Sequence, residues 1–264
     1  MPSLCLSCVV FTLRDKPLEE NKYIDIFILW LSQLIKCGDL QKEDALYIFT
    51  DKRTIDYIHE STIFSTLKTK IVFQISVIVS PSPTTLLEGT MQRYTFFPYT
   101  QDIYIYCDID IFIVNTLKDI TSKMIPNHIY VCAEGFLKDP NYSADFPKDY
   151  PIDDTSAGLS SGKFAVYGKD VHALLCKTIQ SLCKHETGYY TLEQPFFNHA
   201  ILLKLPDTIL CDVHLLHTPV VSFNGEDYEK GKTVLLDCAG EPGNGKLHYD
   251  LMIEVLCLLN SGYF

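Results

Sequence analysis

Short β-branched runs alternate along the chain with longer stretches of helical periodicity. Apolar residues dominate Leu4–Thr12, Ala45–Thr50, Lys70–Val79 and Ile103–Tyr106, each bounded by polar or proline-bearing segments. Runs of this length, rich in Val, Ile, Tyr and Phe and apolar on both faces, predict strands buried in a parallel sheet. Between them, Leu18–Cys37 carries Tyr23, Ile24, Phe27, Ile28, Leu31, Leu34 and Ile35 close to helical spacing, with Gly38 marking its end. Asp51 is placed to cap a helix running through Tyr57, and Leu86–Phe97 is predicted helical. Strand and helix alternating over short connections is the pattern of an α/β sheet.

After Ile120 the pattern loosens. His128–Ala133 is a predicted strand, and Lys138–Asp154 is a Pro- and Asp-rich loop long enough to suggest function or mobility. Ser156–Tyr167 is read as a Gly/Ser-rich turn entering a strand. Val171–Lys184 and Glu193–Leu203 are predicted helices, and Thr208–Val213 and Thr233–Cys238 short strands. A glycine loop, Gly240–Gly245, precedes a last helix over Leu247–Leu259. No repeat, low-complexity tract or linker divides the chain, so one domain over residues 1–264 is expected.

The central strand carries the first sign of chemistry. Gln101–Ile120 reads QDIYIYCDIDIFIVNTLKDI, an apolar strand that ends on Asp108 and Asp110. Residues two apart in an extended segment project to the same side, so the two carboxylates are expected to share one face. Buried like charges that close require a proton on one or a cation between them. Ligands bind at the carboxyl ends of strands in α/β sheets, and paired oxygen donors suit Mg²⁺ or Mn²⁺.

Composition narrows the classes. A net charge of −11 and pI near 5.1 argue against a nucleic-acid-binding or anionic-membrane surface. A phosphate-bearing ligand would then need a metal or a few placed cations. No stretch reaches the roughly 20 apolar residues of a transmembrane helix. The opening MPSLCLSCVVFTLRDK lacks the basic n-region of a signal peptide, so cytoplasmic action is expected. The ten cysteines are scattered, several inside apolar runs, and read as reduced core residues; Cys5 and Cys8 have no second pair at zinc-site spacing.

Five features stand in order: Arg93–Tyr94; Asp108-x-Asp110; Ser156–Gly162; Glu193–Gln194 with Asn198; and Gly240–Lys246 followed by His248. On these the chain resembles the nucleotide-sugar glycosyltransferases of the GT-A fold, and most of all family 8, the glycogenin and galactosyltransferase-like group. That family has a strand of the form YlDaDilv, here IYCDIDIFIVNTL. It also has a later N-S-G turn, a D-Q-x-x-x-N helix start and a C-terminal H-x-x-G-x-x-K loop. The resemblance spans roughly residues 4 to 250.

The resemblance implies a single GT-A domain with a Rossmann-like, mostly parallel central sheet flanked by helices. Its nucleotide-binding half would be about 1–120 and its acceptor-side half about 121–264. It implies transfer of a sugar from a nucleoside diphosphate donor, a UDP-sugar above all, to a glycan or protein acceptor, with Mn²⁺ or Mg²⁺ as cofactor and retention of anomeric configuration. Asp108 would lie near ribose and metal, and Asp110 would ligate the metal. Strand one, ending at Thr12, would cradle the base, and Arg93 would stand near donor sugar and phosphate. Gly158 and Ser160 would face donor sugar and acceptor, and Glu193 and Gln194 would contact the sugar. The family histidine has no evident counterpart; alignment on Gly240 places Asp237 there, with His248 further along as the alternative third ligand. Gly240 and Lys246 would form a diphosphate cradle at a helix N-terminus. Two rival classes share the sheet: a nucleotidyltransferase acting on sugar phosphates, and a non-catalytic nucleotide-sugar-binding module.

Overall fold

The computed structural model describes residues 2–183, 188, 192–205, 212–215, 220–222, 228–238 and 245–261. Strand β1 (Leu4–Val9) leads to α1 (Lys22–Cys37). That helix starts at Lys22, not Leu18, because the Asn21 side chain accepts from the Tyr23 N–H and caps the first turn there. Gly38 closes it in an ordinary right-handed conformation, and Asp39, at φ 51°, turns the chain. Strand β2 (Ala45–Asp51) runs directly into α2 (Lys52–Glu60), with Asp51 accepting from the Arg53 and Thr54 amides as the cap.

After α3 (Thr62–Lys68) comes β3 (Gln74–Ser80). It begins four residues later than expected, since Lys70 and Ile71 still bond back to Leu67 and Lys68 to close α3. The next helix, α4 (Leu86–Thr90), tightens into a 3₁₀ turn over Met91–Tyr94. It stops short of Phe97, the residue before Pro98, where helical backbone is disfavoured. Then follow β4 (Ile103–Cys107), β5 (Ile111–Ile113), α5 (Lys118–Thr121), β6 (His128–Phe136), α6 (Pro140–Ser143) and β7 (Ala157–Tyr167). The chain continues through α7 (Lys169–Leu182), α8 (Gln194–His199), a π-helical turn Ala200–Lys204, β8 (Asp212–Leu215), β9 (Val220–Ser222), β10 (Leu235–Asp237) and α9 (Gly245–Ser261). Residues 208–211 of one predicted strand, and 240–244 of the glycine loop, lie outside the described residues.

A seven-stranded sheet has the order β3-β2-β1-β4-β7-β6-β8. Every pairing in it is parallel except those of β7, which runs against both β4 and β6. A small sheet, β5-β10-β9, stands beside it. The fold is therefore α/β with a mostly parallel central sheet flanked by helices, as expected. The segment Ser156–Gly162 is corrected: all but Ser156 belongs to β7, an eleven-residue strand, and no turn occurs there.

Strand β4 is buried on both faces. Ile103, Ile105 and Cys107 pack toward α1, α9 and β10, while Tyr104 and Tyr106 pack toward α7 and α8 with Phe164 and Phe197. The described cysteines are unbridged and mostly buried. Among the described residues no helix is long and apolar enough to cross a membrane.

Candidate active site

A cleft of about 840 Å³ opens at the carboxyl ends of β1 and β4. Asp108 and Asp110 both line it, but not as members of an extended strand. Strand β4 ends at Cys107, and the Ile111 N–H donates to the Asp108 carbonyl at 3.1 Å, closing a tight turn. The two carboxylates reach one cleft through that turn and not through the two-residue period of a strand.

Arg93 is the cation that Asp108 meets. Arg93 is 5% exposed, its guanidinium held between α4 and the sheet, with Nε donating to the Thr90 carbonyl at 3.1 Å and Nη1 to the Ser161 carbonyl at 3.0 Å. Nη2 lies 3.1 Å from Asp108 Oδ1, and Nη1 lies 3.0 Å from Glu193 Oε1. The Tyr106 hydroxyl donates to Asp108 Oδ1, and the Tyr106 ring sits 4.7 Å beneath the guanidinium. The Asp108 carboxyl is raised to about 7, burial lifting it most, Arg93 pulling it back and Asp110 pushing it up. One arginine thus joins the first aspartate of the turn to the start of α8.

Glu193 and Gln194 are both buried and line the cleft. Ser161 on β7 anchors them: its hydroxyl donates to Glu193 at 3.0 Å and its N–H to Gln194 Oε1 at 3.2 Å. Asn198, one turn further along α8, accepts from the Leu159 N–H and donates to the Leu159 carbonyl, both at 2.8 Å. A single amide therefore clamps the helix onto β7 as a neighbouring strand would.

On the opposite wall, the His248 ring of α9 faces Asp110, with Nδ1 3.4 Å from Oδ2. His248 is 3% exposed, with its ring edge-on to Tyr23 at 6.0 Å. Asp237 also lines the cleft, but its carboxylate lies against Lys163 Nζ, which reaches Glu134 at 3.1 Å. The two alternatives for a third metal ligand are thus placed differently: His248 against Asp110, Asp237 against an ammonium. Lys246 is exposed at the first turn of α9 and lines the cleft.

Thr12 also lines the cleft, its hydroxyl within 2.7 Å of Asn21 Nδ2 and 2.9 Å of Thr54 Oγ1, its N–H 3.1 Å from Asp51. Ser160 lines the cleft. Gly158 stands beside it on β7, where a Cβ would come within 2.4 Å of the Tyr142 ring. Gly240 lies outside the described residues. Ser161, Tyr106, Gly162, Glu134 and Lys163 received no role from the sequence: Ser161 and Gly162 lie within the quoted Ser156–Gly162 segment and Tyr106 within the quoted central strand, whereas Glu134 and Lys163 fall in no motif.

Among the described residues no three His, Cys, Asp or Glu side chains already surround a metal position. The donor set at Asp110 and His248 nevertheless suits a divalent cation that takes its other ligands from a bound diphosphate, the usual arrangement for an ion held by one or two protein groups.

No protein-family model matches the chain, and no curated protein sequence does. Solved structures do match. Mouse xyloside xylosyltransferase 1, crystallised in the apo form, aligns over 94% of this chain and 93% of its own at 12% identity, with a TM-score of 0.50. The fold is GT-A-like.

Proposed function

We propose that the chain is a metal-dependent glycosyltransferase that moves a sugar from a nucleoside diphosphate donor, a UDP-sugar, to a carbohydrate or protein acceptor. The observation that carries this is the meeting of Asp108, Asp110 and His248 in the cleft at the strand ends of a GT-A-type sheet, with Arg93 and Glu193 bonded behind them. Breaking the bond between the anomeric carbon and the diphosphate leaves negative charge on phosphate and positive charge on the sugar. A Mn²⁺ or Mg²⁺ ion held by Asp110 and His248, with Asp108 beside it, would neutralise the phosphate charge. Lys246, in the first turn of α9, lines the same cleft, and the N–H groups of a helix start also favour an anion. Glu193 and Gln194 present oxygen atoms on the opposite wall, suited to the cationic sugar. Glu193 is already engaged by Arg93 and Ser161, so its part is electrostatic. We take transfer to proceed with retention, as the resemblance implies, the departing phosphate taking the acceptor's proton.

Thermal unfolding with UDP, GDP, CMP or ADP, each with and without Mn²⁺, tests this. Ligand at about 100 times its dissociation constant adds roughly 2.7 kcal/mol of stability. UDP is expected to raise the midpoint only with Mn²⁺, and Asp110→Asn to abolish the shift. A shift independent of the metal would remove the role given to Asp110 and His248. Pyrophosphate release from an NTP and a sugar phosphate would replace transfer by nucleotidyl chemistry.

A further inference from the structure

The cleft draws its walls from two sheets, and a buried ammonium links them beneath its floor. Lys163 lies on β7 at 3% exposure. Its Nζ rests against Asp237 Oδ2 on β10 and lies 3.1 Å from Glu134 Oε2 on β6. A lysine is rarely placed so deep, because its ammonium loses its hydration there and must be paired. Burial lowers the tendency of this amine to hold its proton, but the two carboxylates more than restore it, so Lys163 is charged.

The two ends of the Lys163–Asp237 pair hold the two ends of the aspartate turn. Gly162, next to Lys163, accepts from the Asp108 N–H at 2.8 Å. Cys238, next to Asp237, donates its N–H to the Asp110 carbonyl at 2.9 Å. Strand β7 belongs to the seven-stranded sheet and β10 to the three-stranded one. Asp108 is thus fastened to one sheet and Asp110 to the other, and Lys163 with Asp237 connects those sheets next to both fastenings.

We propose that Lys163 is a positioning residue: by tying β7 to β10 it sets the spacing of Asp108 and Asp110, and so the geometry in which Asp110 and His248 receive a divalent cation and the nucleoside diphosphate. This rests on the function proposed above. Lys163 touches neither ligand; it acts through the turn.

Two readouts on the full chain test it. The first is Mn²⁺ binding in the presence of UDP, followed by the electron paramagnetic resonance signal of free Mn²⁺. Lys163→Met keeps the length of the stem and removes the charge, and should weaken Mn²⁺ binding by about tenfold, the lower end of what loss of a supporting partner costs a metal site. Lys163→Arg, which keeps the charge, should recover most of it. The second is hydrogen exchange in the ligand-free protein. The Cys238 amide should lose protection in Lys163→Met while amides of β1 and β4 keep theirs. Should Lys163→Met fail to fold, Lys163→Gln, which also removes the charge, carries both readouts. Wild-type affinity in the variant, or unchanged protection at Cys238, overturns the assignment. If the wild-type chain shows no joint binding of Mn²⁺ and UDP, the proposed function fails instead, and the exchange result alone decides whether Lys163 ties the sheets.

Discussion

At the scale of single residues, the site depends on close approach. A Cβ at position 162 would lie 2.7 Å from Asp108 Oδ2, and Asp108 cannot swing aside because Arg93 and Tyr106 both hold it. Gly162→Ala should therefore cost about 1–3 kcal/mol of stability, the usual range for overpacking. It should also weaken Mn²⁺-dependent UDP binding, which calorimetry would measure; undiminished binding would show that Asp108 can move. His172 sets a different dependence. It is fully buried, its ring 3.7 Å from that of Tyr104, and neither ring nitrogen has a hydrogen-bond partner among the described residues. Burial lowers its pKa to about 3, against about 6.5 in the unfolded chain. The unfolded state then binds the extra proton between those values, so stability is full above about pH 6.5 and falls as pH drops, by about 1.4 kcal/mol per unit. Between pH 7 and 5 that amounts to roughly 2 kcal/mol, which His172→Phe should remove. Urea unfolding of both proteins at the two pH values checks this; equal losses would exclude His172 as the cause.

At the scale of elements, legibility followed burial. Strand β4 and helix α1 were plain in the sequence because one is apolar on both faces and the other repeats its apolar residues at helical spacing. Strand β7 was half misread. Its Ala-Gly-Leu-Ser-Ser-Gly start has the composition of a turn, yet the small residues are there because Tyr142, Arg93, Asp108 and α8 crowd against it. Glycine in a strand marks such an approach as readily as it marks a bend. Asp108 and Asp110 were legible as a pair, but the turn that joins them was not. Lys163 was illegible, since its partners stand 29 and 74 residues away and a lone lysine ordinarily reads as solvated. The clamp between α8 and β7 belongs to this scale too. Asn198→Ala leaves the Leu159 N–H and carbonyl buried and unpaired, and should cost about 1–3 kcal/mol per orphaned group. Denaturant unfolding would show it, with activity falling as Glu193 and Gln194 shift; a change under 0.5 kcal/mol would mean β7 and α8 hold together without it.

At the scale of the whole molecule, the order of strands separates chain order from spatial order. Strand β1 lies inside the sheet, between β2 and β4, and Leu4 pairs with Ile103. A ribosome adding about 5–20 residues per second thus leaves one edge of β1 uncovered for on the order of ten seconds, while β2 and β3 are already made. The cleft waits longer, because His248 and Lys246 arrive with α9. Synthesis thus passes through a stage with an apolar strand edge open to solvent, an invitation to chaperones and to mispairing. Ribosome-bound chains arrested before Ile103 should be digested by a protease at β1, and chains arrested well past Tyr167 should not.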